Sequence, residues 1–300
     1  MSADQAGRIL EDNKENLAKR FRALFTLRNI VCPGSIDSIG RVLLNDDSDL
    51  LKHECAYCMG QMRDANALSY LIKVLADERV HPMVRHEAAE ALGAIGRNET
   101  FNIDSILNQY KAHRVRELAE TCQLALDRIK WYEARRTADV GSEESQSPYN
   151  TVDPTPSYPD TVDIHDLKKT YLDTSRPLFE RYRALFTLRN IGTPEAVDII
   201  CAGFFCGDDD SALFKHEVAF VLGQMQDKLS KEALTKKLAD LKENEMVRHE
   251  CAEALGSLGE SQVIQSYLKD ASRIVRESCE VALDMAEYEK DESQFDFLGK

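Results

Sequence analysis

Apolar positions along this 300-residue chain recur at three- and four-residue intervals, in blocks. In VRHEAAEALGAIG, residues 84–96, Ala88, Ala91, Leu92 and Ile95 fall on one side of a helix and the charged residues take the rest. Strong helix formers fill such blocks, and strand signals are nearly absent. Gly93 reads as a tight-packing position and Gly96 as a helix stop. The pattern predicts an all-α fold.

The blocks themselves recur. FRALFTLRNI at 21–30 returns as YRALFTLRNI at 182–191, KHECAYCMGQM at 52–62 as KHEVAFVLGQM at 215–225, and VRHEAAEALGAIG at 84–96 as VRHECAEALGSLG at 247–259. A weaker match pairs VRELAE at 115–120 with VRESCE at 275–280. Each half thus holds four related units of about thirty residues, the signature of a solenoid of helical hairpins. The expected divisions are an N-terminal half over 1–134, a linker over 135–162, a C-terminal half over 163–290 and a tail over 291–300. Ser and acidic residues together with Pro148, Pro154, Pro156 and Pro159 make the linker read as flexible. At up to about 3.3 Å per residue it spans a half-molecule, so the two pseudo-symmetric halves can face each other.

Composition narrows the field. A net charge of −14 argues against direct nucleic-acid binding, which needs clustered Lys and Arg, and favours a basic partner. No apolar run approaches the ~18 residues of a membrane span, and Met1–Gly7 lacks the features of a signal peptide, so a soluble, cytoplasmic or nuclear protein is expected. Of eight cysteines, Cys55, Cys122, Cys251 and Cys279 sit where alanine would serve. The Cys55-x-x-Cys58 pair is matched by Val218 and Val221 in the second half, so packing is the better reading there than a redox or zinc motif.

The chemistry lies in a dipeptide. His53-Glu54, His86-Glu87, His216-Glu217 and His249-Glu250 take four of the chain's seven histidines, spaced 33 residues apart within a half and 163 between halves. Adjacent helical residues diverge by about 100°, yet both can border one groove, and stacked hairpins about 8–10 Å apart bring His53 and His86 within reach of one ion. Two imidazoles, a carboxylate and open positions suit non-haem Fe(II), whereas a closed zinc site prefers four tight ligands. Halves that face each other make this a two-ion centre. Glu90 and Glu253, four residues after His86 and His249, are placed to accept a ring N–H, against the plainer reading of solvated glutamates. Lys52, Arg85, Lys215 and Arg248, each preceding a histidine, read as solvated or as structural ion pairs. His81, His113 and His165 read as surface or loop residues.

A repeat consensus with buried polar residues would put the dipeptide in every unit. The outer units instead carry Phe21-Arg22, Tyr182-Arg183, Glu117-Leu118 and Glu277-Ser278 at the aligned positions, so the ligand set is confined to the middle of each half.

On these residues the chain resembles the HEAT-repeat deoxyhypusine hydroxylase family, carried by KHE…GQM and by VRHE followed by AEALG, over nearly all of 15–290. The resemblance implies a HEAT-repeat α-solenoid and a non-haem di-iron monooxygenase that hydroxylates the deoxyhypusine side chain of translation initiation factor 5A to form hypusine. It implies two Fe(II) per chain, O2 as co-substrate and an external reductant, with His53, His86 and Glu87 at one iron and His216, His249 and Glu250 at the other. Glu54 and Glu217 are further ligands or grip the substrate's amines. A monomer is expected. The competing readings are a non-catalytic HEAT scaffold, a dinuclear metal hydrolase using the same ligands, and a bilin lyase-like repeat protein.

Overall fold

The apolar blocks resolve into sixteen α-helices and no strand among the described residues, which are 1–30, 32–138, 147–206 and 211–290 of a computed structural model. The first half runs α1 (Ala3–Glu11), α2 (Leu17–Asn29), α3 (Pro33–Asn45), α4 (Asp49–Met62), α5 (Leu68–Ala76), α6 (Pro82–Ile95), α7 (Ile103–Asn108) and α8 (Arg116–Ala138). The second runs α9 (Ile164–Leu172), α10 (Leu178–Ile191), α11 (Pro194–Ala202), α12 (Ala212–Met225), α13 (Lys231–Ala239), α14 (Glu245–Ser257), α15 (Ser261–Gln265) and α16 (Arg273–Lys290). Each unit is a hairpin, and the even-numbered helices pack side by side as an inner layer.

What sets the spacing of that layer is small side chains. A Cβ on Gly60 would lie 3.0 Å from Ala91 Cα, one on Gly223 3.2 Å from Ala254 Cα, and one on Gly93 2.6 Å from Ala125 Cβ. Contacts this short leave no room for a side chain, so the backbones of α4, α6 and α8, and of α12 and α14, approach closely. Gly96 ends α6 at φ 78°, as its place in the block predicts. The cysteines named above are free and buried in the core.

A second repeated device ties outer to inner helix. Arg20, Arg85, Arg181 and Arg248 each donate Nε–H to a carbonyl ten residues earlier, that of Leu10, Leu75, Tyr171 and Leu238, at 2.9–3.0 Å. Those carbonyls close the preceding helices, whose last turns lack intrahelical partners. Arg85 and Arg248 are therefore structural and buried rather than solvated, while Lys52 pairs with Asp49 and Lys215 with Glu243.

The halves close on each other at both ends. α8 packs against α10 and α12, and α16 against α2 and α4. Ser48 and Ser211, the N-caps of α4 and α12, use one oxygen twice: each accepts a helix N–H and donates to a carboxylate of the opposite half, Glu277 and Glu120, at 2.7 Å.

The interhalf segment departs from its sequence reading. α8 continues to Ala138, and residues 147–162 lie against both halves, with Pro154, Thr155, Pro156 and Ser157 buried. Prolines bar helix there but leave carbonyls and side chains free to bond, so this stretch is extended and packed rather than loose. Residues 139–146 and the 291–300 tail lie outside the described residues.

If the glycines set the spacing, Gly93→Val destabilises the chain by about 1–3 kcal/mol in urea unfolding. A variant as stable as the parent would show that the inner helices are held apart by something else.

Candidate metal centre

In α4, α6, α12 and α14 the histidine is the fifth residue, one turn beyond the N-cap, and every one of these side chains enters the space between the halves. His53 and His86 have ring centroids 5.6 Å apart, and His216 and His249 5.4 Å. Across the halves His53 stands 5.8 Å from His216 and 5.4 Å from His249. The four rings form one cluster at the centre of the molecule.

The glutamate of each third unit reaches the histidine of the second. Glu87 Oε2 is 3.3 Å from His53 Nε2, and Glu250 Oε2 is 3.4 Å from His216 Nε2, neither with hydrogen-bond geometry. Three sets of potential ligand atoms each lie within 4.8 Å: His53, His86 and Glu87; His249, Glu250 and Glu253; and His53, His216 and His249. The first brings together the three residues expected at one iron. In the second half His216, His249 and Glu250 meet pairwise, and Glu253 completes the tight group. Seven of the eight imidazole nitrogens are buried without a hydrogen-bond partner among the described residues, all but His249 Nδ1. Buried polar atoms are nearly always satisfied, so this many orphans in one place fit a site built for metal.

Glu54 and Glu217 are also buried and line a cavity of about 340 Å³, but belong to none of the 4.8 Å groups. They flank the Tyr57 and Phe220 rings, themselves repeat-related and 5.9 Å apart edge to face. Glu90 and Glu253 are not equivalent. Glu253 Oε1 lies 3.4 Å from His249 Nδ1 and accepts from Ser278 at 2.8 Å. In the first half Glu90 makes no such contact with His86, although both glutamates line the cavity. His81, read as a surface or loop residue, instead caps α6 through Nδ1 and reaches Glu245 of the other half through Nε2 at 3.2 Å. That contact holds the Glu245 carboxyl down at about 2.

Removal from water dominates the electrostatics. Burial pushes the Glu87 carboxyl up to about 7 and that of Glu90 to about 8, and raises Glu54, Glu217, Glu250 and Glu253 as well. It lowers His53 to about 3 and depresses His86, His216 and His249. The metal-free cluster is thus neutral imidazole and largely protonated carboxyl, and a cation would exchange with those protons.

Comparison with known proteins agrees with the fold. The HEAT repeats family model matches residues 9–93, 36–120 and 205–284, and the PBS lyase HEAT-like repeat model matches residues 180–205. The molecule is a HEAT-repeat protein whose inner helices carry a central His/Glu cluster. It is 51% identical to deoxyhypusine hydroxylase of Homo sapiens over 289 residues, covering 95% of this chain and 91% of that one. The Drosophila melanogaster protein of the same name is 50% identical over 286 residues, with 94% and 91% covered. A solved structure of human deoxyhypusine hydroxylase in complex with glycerol superimposes with a TM-score of 0.87 at 50% identity, over 95% of this chain and 96% of that one. The chain belongs to the deoxyhypusine hydroxylase family, an enzyme family, which sets aside the non-catalytic scaffold and the bilin lyase-like protein.

By about pH 7.5 unfolded histidines, with an ordinary value near 6.5, are almost wholly neutral, so above that pH the carboxylates decide the pH dependence of stability. The folded metal-free chain holds protons on Glu87 and Glu90 that the unfolded chain has lost, so its stability falls as pH rises from about 7.5 through about 8. Thermal unfolding of metal-free protein should show this fall, reduced in Glu87→Gln with Glu90→Gln. A midpoint that is flat or rises over that range would contradict the protonated cluster.

Proposed function

We propose that this protein is a non-haem di-iron monooxygenase that hydroxylates the deoxyhypusine side chain of translation initiation factor 5A, forming hypusine. The observation that carries the reading is the cluster of seven orphaned imidazole nitrogens among buried carboxylates, inside a cavity. His53, His86 and Glu87 would hold one Fe(II) and His216, His249 and Glu250 the other, with Glu253 orienting His249. Bound iron would supply O2 activation, which no side chain of the chain can perform on an unactivated C–H bond.

The chain's own residues then account for binding and exclusion. Deoxyhypusine is a long side chain with ammonium groups, and Glu54 and Glu217 offer carboxylates outside the ligand groups. Their neutral, protonated form in the empty cavity gives way to the anion when a cation arrives, so selectivity for a cationic side chain follows from burial. Tyr57 and Phe220 supply the apolar wall beside its methylenes and keep water from the reacting carbon. The electrons come from an external reductant. A monomeric, cytoplasmic or nuclear enzyme that finds its partner through its acidic surface completes the proposal.

Elemental analysis of tag-free protein should find about two irons per chain, fewer in His53→Ala and fewer in His216→Ala. No transition metal even after anaerobic Fe(II) loading would sink the oxygenase reading. Metal-dependent turnover that needs no O2 would favour a dinuclear hydrolase.

Glu54→Gln and Glu217→Gln separate the two roles open to those residues. Both should retain iron while binding of the substrate protein weakens by about tenfold or more. Loss of iron in either variant would make that glutamate a ligand instead.

A further inference from the structure

Ligand spacing hardly separates the two halves of the centre. The paired rings stand 5.6 and 5.4 Å apart, and the glutamate of each third unit is 3.3 or 3.4 Å from the histidine of the second. What differs is the far side of the third-unit histidine. His249 Nδ1 is 3.4 Å from Glu253 Oε1 and 3.4 Å from Ser278 Oγ, and the Ser278 hydroxyl donates to that same carboxyl oxygen at 2.8 Å. A proton on Nδ1 satisfies this group and leaves the lone pair of Nε2, which is buried without a hydrogen-bond partner, free for an ion. In the first half neither nitrogen of His86 is engaged.

The difference traces to one residue of the last helix in each half. Glu120 in α8 and Glu277 in α16 each take a hydroxyl from the cap serine of the opposite half, and Ala125 and Ala282 each face the third-unit glycine, Gly93 or Gly256. In three dimensions, therefore, ETCQLALD at 120–127 matches ESCEVALD at 277–284, three residues along from the pairing of VRELAE with VRESCE, and the counterpart of Ser278 is Thr121. The Thr121 hydroxyl turns back to the Glu117 carbonyl at 2.8 Å, a common bond for a threonine inside a helix. Glu90, with no hydroxyl to pin it, makes no hydrogen bond to His86.

A carboxylate that accepts the distal N–H of a ligating histidine fixes its tautomer and tilt and raises its basicity, and losing such a partner typically costs about 10–100-fold in metal affinity. We propose that the two ions bind in order, the second-half ion first on His216, Glu250 and Nε2 of His249, because Ser278 and Glu253 already hold that ring in place. Ser278 is a positioning residue that acts on the ion through Glu253 and His249. The inference rests on the two-metal reading above. Repulsion between two cations in one cluster weakens the second whichever site fills first, so the place of the first ion, not the gap between two affinities, is diagnostic.

Metal-free full-length protein given one equivalent of Fe(II) without oxygen, and then crystallised, reveals that place by anomalous scattering at the iron edge. The ion should lie among His216, His249 and Glu250. In Ser278→Ala it should divide between the halves. Anaerobic Fe(II) titration should show the tighter site weakened about tenfold in Ser278→Ala and in Glu253→Gln, with no further loss when the two are combined. A first ion among His53, His86 and Glu87, an even division in the wild type, an iron ligated by Glu253 itself, or parental affinity in Ser278→Ala would overturn the order of filling and leave a two-metal centre standing. Additive losses in the double variant would overturn the route through Glu253. Wild-type protein that takes up no Fe(II) would overturn both the order and the metal reading.

Discussion

Four imidazoles and the glutamates beside them are held out of water at the centre of this molecule, and the cost of that desolvation governs the rest of the architecture. Charges moved into a low-dielectric interior are stable only if neutralised or paired. The chain neutralises them by proton occupancy, with carboxyls pushed up and imidazoles pushed down, and leaves ring nitrogens facing one another. Ring nitrogens without partners are costly to keep out of water, so the scaffold has to be stiff where it holds them. Glycines packed against alanines with no room for a Cβ, and arginine-tied hairpins, supply that stiffness within each half. Doubly used N-cap serines supply it between halves, at the start of the helices that carry His53 and His216.

Duplication gave the site two-fold character, and small departures from it give it direction. Glu253, which accepts from Ser278, engages His249, a contact that Glu90 does not make with His86. The interhalf segment crosses one junction of the ring, where Asp153 pairs with Arg189. A duplicated centre thus sits in an asymmetric vestibule, which suits a substrate whose two ends are chemically different: a chain-linked stem and a cationic tip.

Much of this was legible beforehand because a repeat protein writes its local contacts periodically. The VRHE and KHE blocks disclosed helices, their inner faces and four aligned histidines, and confinement of His-Glu to the middle units marked a site rather than a consensus. Other residues carried no readable signal. His81 bears on the centre only by reaching Glu245 from the other half, and Asp153 only by reaching Arg189, each a contact between segments far apart in sequence. Gln61 and Gln224 lie inside the KHE…GQM blocks, yet their roles depend on what crosses above them.

The helical hairpins, the duplication and the four His-Glu pairs follow from spacing and side-chain chemistry within about thirty residues. That all four rings share one cluster, which of the cavity's glutamates also stand among potential ligand atoms, and that a proline-rich segment is a wall became visible only in three dimensions. The reason is physical: periodicity fixes which face of a helix turns inward, but distances between faces are set by how closely backbones pack and how the ring closes.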